Sequence, residues 1–248
     1  MQLFFCLKFF IENFIPYLEI LQIDSNMITK STLDFLTKIK KNNNRDWFEK
    51  NKAKYISAKD NVADLIDAFL KEAVKFEKGL ANLSSKDCVY RIYRDVRFSK
   101  DKKPYKNNLG ASVNVGGKKA MNAGYYIHIE PGRAFIAGGM WMPPADQLKM
   151  IRQEIDYNGK DIRAILKKKD FNAYYGGLDQ EYALKTSPKG YPKDHPEIDL
   201  LKLNSYIVFH KFTDAQVMKK DFPKELAKGA KIMKPFLDFL NTAIHVGN

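Results

Sequence analysis

Two turn dipeptides near the middle of the chain, Gly116-Gly117 and Pro131-Gly132, do most to limit what this sequence can fold into. They separate short runs at 111–115, 124–130 and 133–137, which with 89–98 are rich in β-branched and aromatic residues. Glycine reaches the positive φ that tight hairpins demand, and proline presets the first corner of a turn. These runs therefore read as an antiparallel meander, and "NSYIVFHKF" (204–212) reads as one more strand.

Helical periodicity occupies the flanks. Leu33, Phe35, Leu36 and Ile39 recur at three- and four-residue steps behind a Ser/Thr start, predicting a helix over 31–41. A longer helix is expected over 45–76, interrupted near Lys59, and the prolines of "PPADQLKMIRQEI" open another. Short helical segments are expected over 161–168 and after the proline-rich loop at 184–197, and a terminal helix over 222–245, kinked near Pro235. Helices, then strands, then helices predict an α+β fold with a single antiparallel-rich sheet covered by N-terminal and C-terminal helices.

The 248 residues suit one large domain or two small ones, and no repeat or low-complexity linker divides them, so residues 27–248 read as a single domain. Residues 1–26 read as an N-terminal extension. Lys8, Glu12, Pro16 and Glu19 interrupt that apolar stretch before it reaches the roughly 20 residues a spanning helix needs, and no membrane span is expected. The only cysteines are Cys6 and Cys88, too few for a disulfide framework or a cysteine zinc site, which predicts a reducing, cytoplasmic location.

Lysine and arginine total 42 against 29 acidic residues, a formal net charge of +13 that favours anionic partners without defining chemistry. Seven of the 42 are arginine, and three of those seven, Arg91, Arg94 and Arg97, fall within 91–97. Where lysine is the generic cation, a concentrated use of the planar guanidinium fork points to bidentate pairing with carboxylate or phosphate. Read as a strand, the segment puts Arg91, Asp95 and Arg97 on one face and sets Arg94 among apolar neighbours with Phe98 on the other. Arg94 and Phe98 are then structural, Arg94 needing a partner such as Asp95, Glu130 or Glu154. Arg91, Asp95, Arg97, Lys102 and Tyr105 form the candidate ligand-binding set, Asp95 orienting both forks and Tyr105 closing the site.

Catalytic signatures are sparse. "GASVNVGGKK" lacks the phosphate-loop spacing, and HExxH, GxSxG and dinucleotide fingerprints are missing. His128 and Glu130 form H-x-E on a strand, but the P-C-x-x-C of zinc deaminases is absent. His128, Glu130 and His195 remain candidate acids or bases for a hydrolase or phosphoryl-transfer enzyme. A centre of His128 with His195 or His210 and a carboxylate is conceivable, though no metal or other cofactor is assigned.

Arg91-x-x-Arg94-Asp95-x-Arg97-Phe98, followed by Asp101-Lys102 and Tyr105, resembles the signature of the bacterial DUF2461 family, as do "NNNRDWFEKNKAKY", "YYIHIEPG" and "PKGYPKDHP". The resemblance runs from about Met27 to the terminal helix and implies no activity, substrate or catalytic residue. The expected function is binding of an anionic, phosphate-bearing metabolite or nucleic acid by the Arg/Asp/Lys cluster. The alternatives are an enzyme using His128, Glu130 or His195, and an interaction protein whose arginines form a salt-bridge network.

Overall fold

The computed structural model of the protein describes residues 27–245, and the expected extension at 1–26 lies outside the described residues. Helix α1 (Lys30–Lys41) starts at Thr29, whose side chain accepts from the Thr32 amide, and it buries Leu33, Phe35, Leu36 and Ile39. The expected long helix is split into α2 (Arg45–Lys50) and α3 (Lys52–Ala73). The break falls at Asn51, not Lys59: its backbone leaves helical geometry (φ −116°, ψ 17°) and its side-chain amide donates to the Trp47 carbonyl at 2.9 Å. Asparagine offers the backbone such local alternatives to a helix. A single 3₁₀ turn (Lys78–Leu80) and α4 (Ser85–Cys88) lead into the sheet region.

Strands β1 (Leu109–Val113), β2 (Gly124–Ile129), β3 (Ala134–Met140) and β4 (Tyr206–Phe212) pair antiparallel in the order β1-β2-β3-β4. Gly116 and Gly117 take φ of 91° and 82° within the β1–β2 loop. Gly132 takes 72° behind Pro131, and the Arg133 amide closes the turn onto the Glu130 carbonyl at 2.9 Å, the pattern of a type II turn. One sheet face is buried, through Ala111, Ile127, Ile136 and Val208 among others. Gly138 lies on that face, where a Cβ would collide with the Met233 sulfur, so its glycine lets the terminal helix α9 (Phe222–His245) pack directly on β3. Helix α9 also packs against α3 and α5 (Ala145–Lys167).

The other sheet face carries Ser112, Tyr126, His128, Phe135, Ala137 and Gly139, each only partly buried. The predicted α+β architecture is therefore present, with its helices gathered on one side. The separate helix expected over 161–168 is the second half of α5, which bends at Asn158 (φ −119°, ψ 33°). The remaining helices are α6 (Lys169–Tyr175), α7 (Ile198–Leu201) and α8 (Asp214–Val217). Among the described residues no helix is long and apolar enough to cross a membrane.

The segment 89–98 departs from expectation. Only Val89 (to Ala111) and Tyr93 (to Tyr105) form bridge pairs, and beyond Tyr93 the chain loops out before returning at Tyr105. Side chains in the loop capture its backbone: Asp95 accepts from the Arg97 amide, Asp101 from the Lys103 amide, and the Lys102 ammonium donates to the Val96 carbonyl. These local bonds compete with a sheet ladder, and strand alternation fails to describe the loop.

Candidate functional site

The looped-out segment distributes its charged residues differently from a strand. Asp95 holds Arg97 alone, in a bidentate pair with Oδ1···Nε 3.0 Å and Oδ2···Nη2 2.7 Å, and both side chains are largely exposed. That pairing, foremost, holds the Asp95 carboxyl below its usual range, with the Arg91 charge contributing less. Asp95 therefore does not orient both forks. Lys102 is spent on the Val96 and Arg97 carbonyls. Phe98, expected as structural, is 95% exposed, with the Arg97 guanidinium 5.8 Å from its ring centre. Tyr105 lines the basic pocket around Arg94 and Asp101 as a buried wall and not as a lid: its ring is stacked on Phe48 at 4.0 Å and its backbone is clasped by the Asn43 side-chain amide.

Arg94 turns inward to a partner that strand alternation did not nominate. Its Nη1 donates to Asp101 Oδ2 at 2.8 Å and to the Lys103 carbonyl at 3.1 Å. Arg94 and Asp101 line a pocket of about 400 Å³, together with Lys40 from the end of α1, Lys103, Lys106 and Asn107. Four cations thus face one carboxylate. Burial, and next the nearby Arg91 charge, push the Lys106 pKa down, and its ammonium lies 5.3 Å from the centre of the Tyr90 ring. Arg91, Asp95, Arg97 and Lys102 stay outside this pocket.

Behind the pocket lies Glu130, the one charged residue that is buried among the described residues. The type II turn that follows fixes it at the end of β2. Its Oε1 accepts from Asn107 at 2.8 Å and from the Lys40 ammonium at 3.4 Å, and its Oε2 meets His128 Nε2 at 3.2 Å. A buried carboxylate needs such donors, because an unpaired one would be very costly. His128 Nδ1 meets the Tyr126 hydroxyl at 3.2 Å, and the imidazole stacks on Phe135, the rings 4.6 Å apart.

Burial depresses the His128 pKa, the Glu130 hydrogen bond only partly opposing it, so the ring is neutral near pH 7. A carboxylate only accepts, which places the single ring proton on Nε2 and makes Nδ1 the acceptor of the Tyr126 O–H. The period of two along β2 puts Tyr126, His128 and Glu130 on one face. Gly110, opposite His128 on β1, leaves the space: a Cβ there would lie 2.6 Å from the Tyr126 hydroxyl oxygen. Reading the sequence as H-x-E missed Tyr126, although the same period extends to Y-x-H-x-E.

His195 is brought to neither group. Its Nε2 meets Asp156 of α5 at 2.9 Å and its Nδ1 accepts from the Glu197 amide. His210 meets the Tyr174 carbonyl and stacks on that ring. The conceivable His128 centre is thus not assembled, and among the described residues no group of three His, Cys, Asp or Glu is placed to hold a metal ion.

The family model described as "Conserved hypothetical protein (DUF2461)" matches residues 31–239. The chain belongs to this family. No curated protein and no solved structure matches it. The match spans both arrangements, the basic pocket built by the 92–106 excursion and the Tyr126–His128–Glu130 chain on β2.

Proposed function

We propose that this DUF2461 protein binds an anionic, phosphate-bearing small molecule in the pocket formed by Lys40, Arg94, Lys103, Lys106 and Asn107. The observation that carries the reading is the uncompensated positive charge there. Asp101 pairs with Arg94 and Glu130 with Lys40, whereas no ion pair to Lys103 or Lys106 forms among the described residues, so these two ammonium groups are the uncompensated charge. A partly buried ammonium beside other cations is stabilised by an incoming anion, and an anion that pairs with several donors at once recovers the cost of leaving water. The cytoplasm fits this reading, since Cys88 is a buried free thiol and phosphorylated metabolites are abundant there.

Calorimetric titration with inorganic phosphate, pyrophosphate and a nucleoside monophosphate tests it. Lys106→Met and Arg94→Ala should each weaken the best probe at least about tenfold, equivalent to about 1.4 kcal/mol. Arg91→Ala and Arg97→Ala, outside the pocket, should change affinity less than about twofold. Failure of every probe to bind at low salt overturns the reading, as does sensitivity to Arg91 and Arg97 alone. The latter would favour nucleic acid on the exposed tip, where Tyr93 and Phe98 stand beside basic residues.

One observation favours a second reading, an acid–base enzyme. The Tyr126–His128–Glu130 chain repeats the logic of a hydroxyl, a neutral imidazole acceptor and a carboxylate that fixes the tautomer. Loss of phosphatase or esterase turnover in His128→Gln, with turnover kept in His195→Gln, would support it. Equal turnover in wild type and His128→Gln would sink it.

A further inference from the structure

The partly buried sheet face forms one side of a second concavity, a cleft of about 600 Å³ that the basic pocket does not include. Side-chain size makes the space: the small Ser112, Gly124, Ala137 and Gly139 line it together with the large Tyr126 and Trp141 rings. Trp141, Met121 and Met142 are conspicuously exposed for such large apolar groups, at 65%, 63% and 47%. Met142 has a φ of 45° and is the one non-glycine residue with positive φ among the described residues, its amide anchored on the hydroxyl of buried Ser205 at 3.0 Å. A conformation of that kind costs on the order of 1 kcal/mol or more and persists where the surroundings impose it.

The polar groups lining the cleft are biased toward acceptors. Asn122 and Gln147 spend their side-chain NH₂ groups on the Val115 and Met121 carbonyls. Their side-chain oxygens, Asn122 Oδ1 and Gln147 Oε1, are buried with no donor among the described residues. The Tyr126 hydroxyl donates its proton to His128 and so keeps oxygen lone pairs free. The cation in the lining, Lys118, is already bound to the Lys86 and Val89 carbonyls at 2.6 and 3.1 Å. The cleft therefore offers apolar area, aromatic rings and unfilled acceptors, and no free charge.

We propose that this cleft binds an uncharged, flat, largely apolar molecule through N–H or O–H donors, with Tyr126 as the anchoring acceptor and His128 as the residue that orients it. An aromatic ligand fits the exposed Trp141 ring and the glycine- and alanine-lined face, and its donor meets the lone pairs that the Tyr126 hydroxyl, donating to His128, leaves open. The site is separate from the anion pocket and does not rest on it.

The probe is 2-quinolinone, a neutral flat lactam with one N–H, compared with its N-methyl derivative, which lacks the donor. Binding is read from tryptophan emission and confirmed by calorimetry, with Trp141→Phe separating the Trp141 signal from that of Trp47. The full chain should bind 2-quinolinone saturably and prefer it over the N-methyl compound by about tenfold, the worth of one hydrogen bond to a buried group. Tyr126→Phe should bring that preference close to one. His128→Phe, which removes the acceptor that aims the hydroxyl, should reduce it several-fold, whereas His128→Gln, which restores an acceptor, should recover part of it. Ala137→Trp should abolish binding while phosphate affinity and the melting curve stay unchanged. Absence of saturable binding, equal affinity for the two compounds, or unchanged binding in Ala137→Trp would each overturn the proposal.

Discussion

Replacing Glu130 tests the tautomer argument and the energetics of the buried carboxylate together. Glu130→Gln keeps the shape and removes the charge. Its amide has one arrangement that clashes with nothing: the oxygen faces Asn107 and Lys40, and the NH₂ faces His128 Nε2, at the positions Oε1 and Oε2 now hold. His128 must then accept through Nε2, so its proton moves to Nδ1 and the Tyr126 hydroxyl turns from donor to acceptor. Every bond survives with an uncharged group in place of the carboxylate, and the loss is the extra strength that its charge gave, about 1–2 kcal/mol. For a domain of this size that lowers Tm by roughly 2–8 °C. Glu130→Ala has no such rearrangement and leaves Asn107 and His128 without an acceptor in a buried setting, which should cost about 3–4 kcal/mol. Urea unfolding gives both differences, provided the slopes agree. Long-range proton–nitrogen correlation spectra of the imidazole report the tautomer directly. An Nε2–H tautomer retained in Glu130→Gln, or equal destabilisation by the two substitutions, would refute the reasoning.

Two further outcomes follow from the same geometry. Gly139 has a φ of 122° and a Cβ there would overlap the Tyr206 carbonyl, so Gly139→Ala should destabilise by more than about 2 kcal/mol by forcing β3 and β4 apart, with loss of amide protection along β4. His128 has a depressed folded pKa against about 6.5 unfolded, in a setting that also contains Glu130, Tyr126 and Arg133. Its contribution to stability is thus complete above about pH 6.5 and is lost as pH falls through the folded value, because the unfolded chain binds the proton first. The stability advantage of wild type over His128→Gln should shrink between pH 7.5 and 5.5 in urea titrations, and parallel curves would contradict the assignment.

How much was legible in the sequence can be traced through particular residues. The meander, its turns and its flanking helices were readable because each depends on neighbours a few positions apart: positive φ at Gly116 and Gly132, and apolar spacing in α1 and α9. The H-x-E pair was equally local, since a period of two puts His128 and Glu130 on the same face wherever the strand lies. The basic segment stood out by its arginines, but its conformation was misread. Arginine scarcity did not single out one role, because Arg152 and Arg163 also serve as ties, Arg152 to the Leu201 and Leu203 carbonyls and Arg163 to Glu197 and Asp199.

The sequence alone thus determined the flanking helices, the turns of the meander and the shared face of His128 and Glu130, all set by short-range sterics and periodicity. Only the tertiary structure decided which charges meet. Segment 89–98 could extend as a strand or loop out onto its own side chains, and the choice rests on a few hydrogen bonds from Asp95, Asp101 and Lys102. That choice sends Arg94 inward to Asp101 and leaves Arg97 and Phe98 at the tip. Lys40 and Asn107 reach Glu130 from positions 90 and 23 residues away in sequence, a meeting that packing brings about and no local pattern encodes.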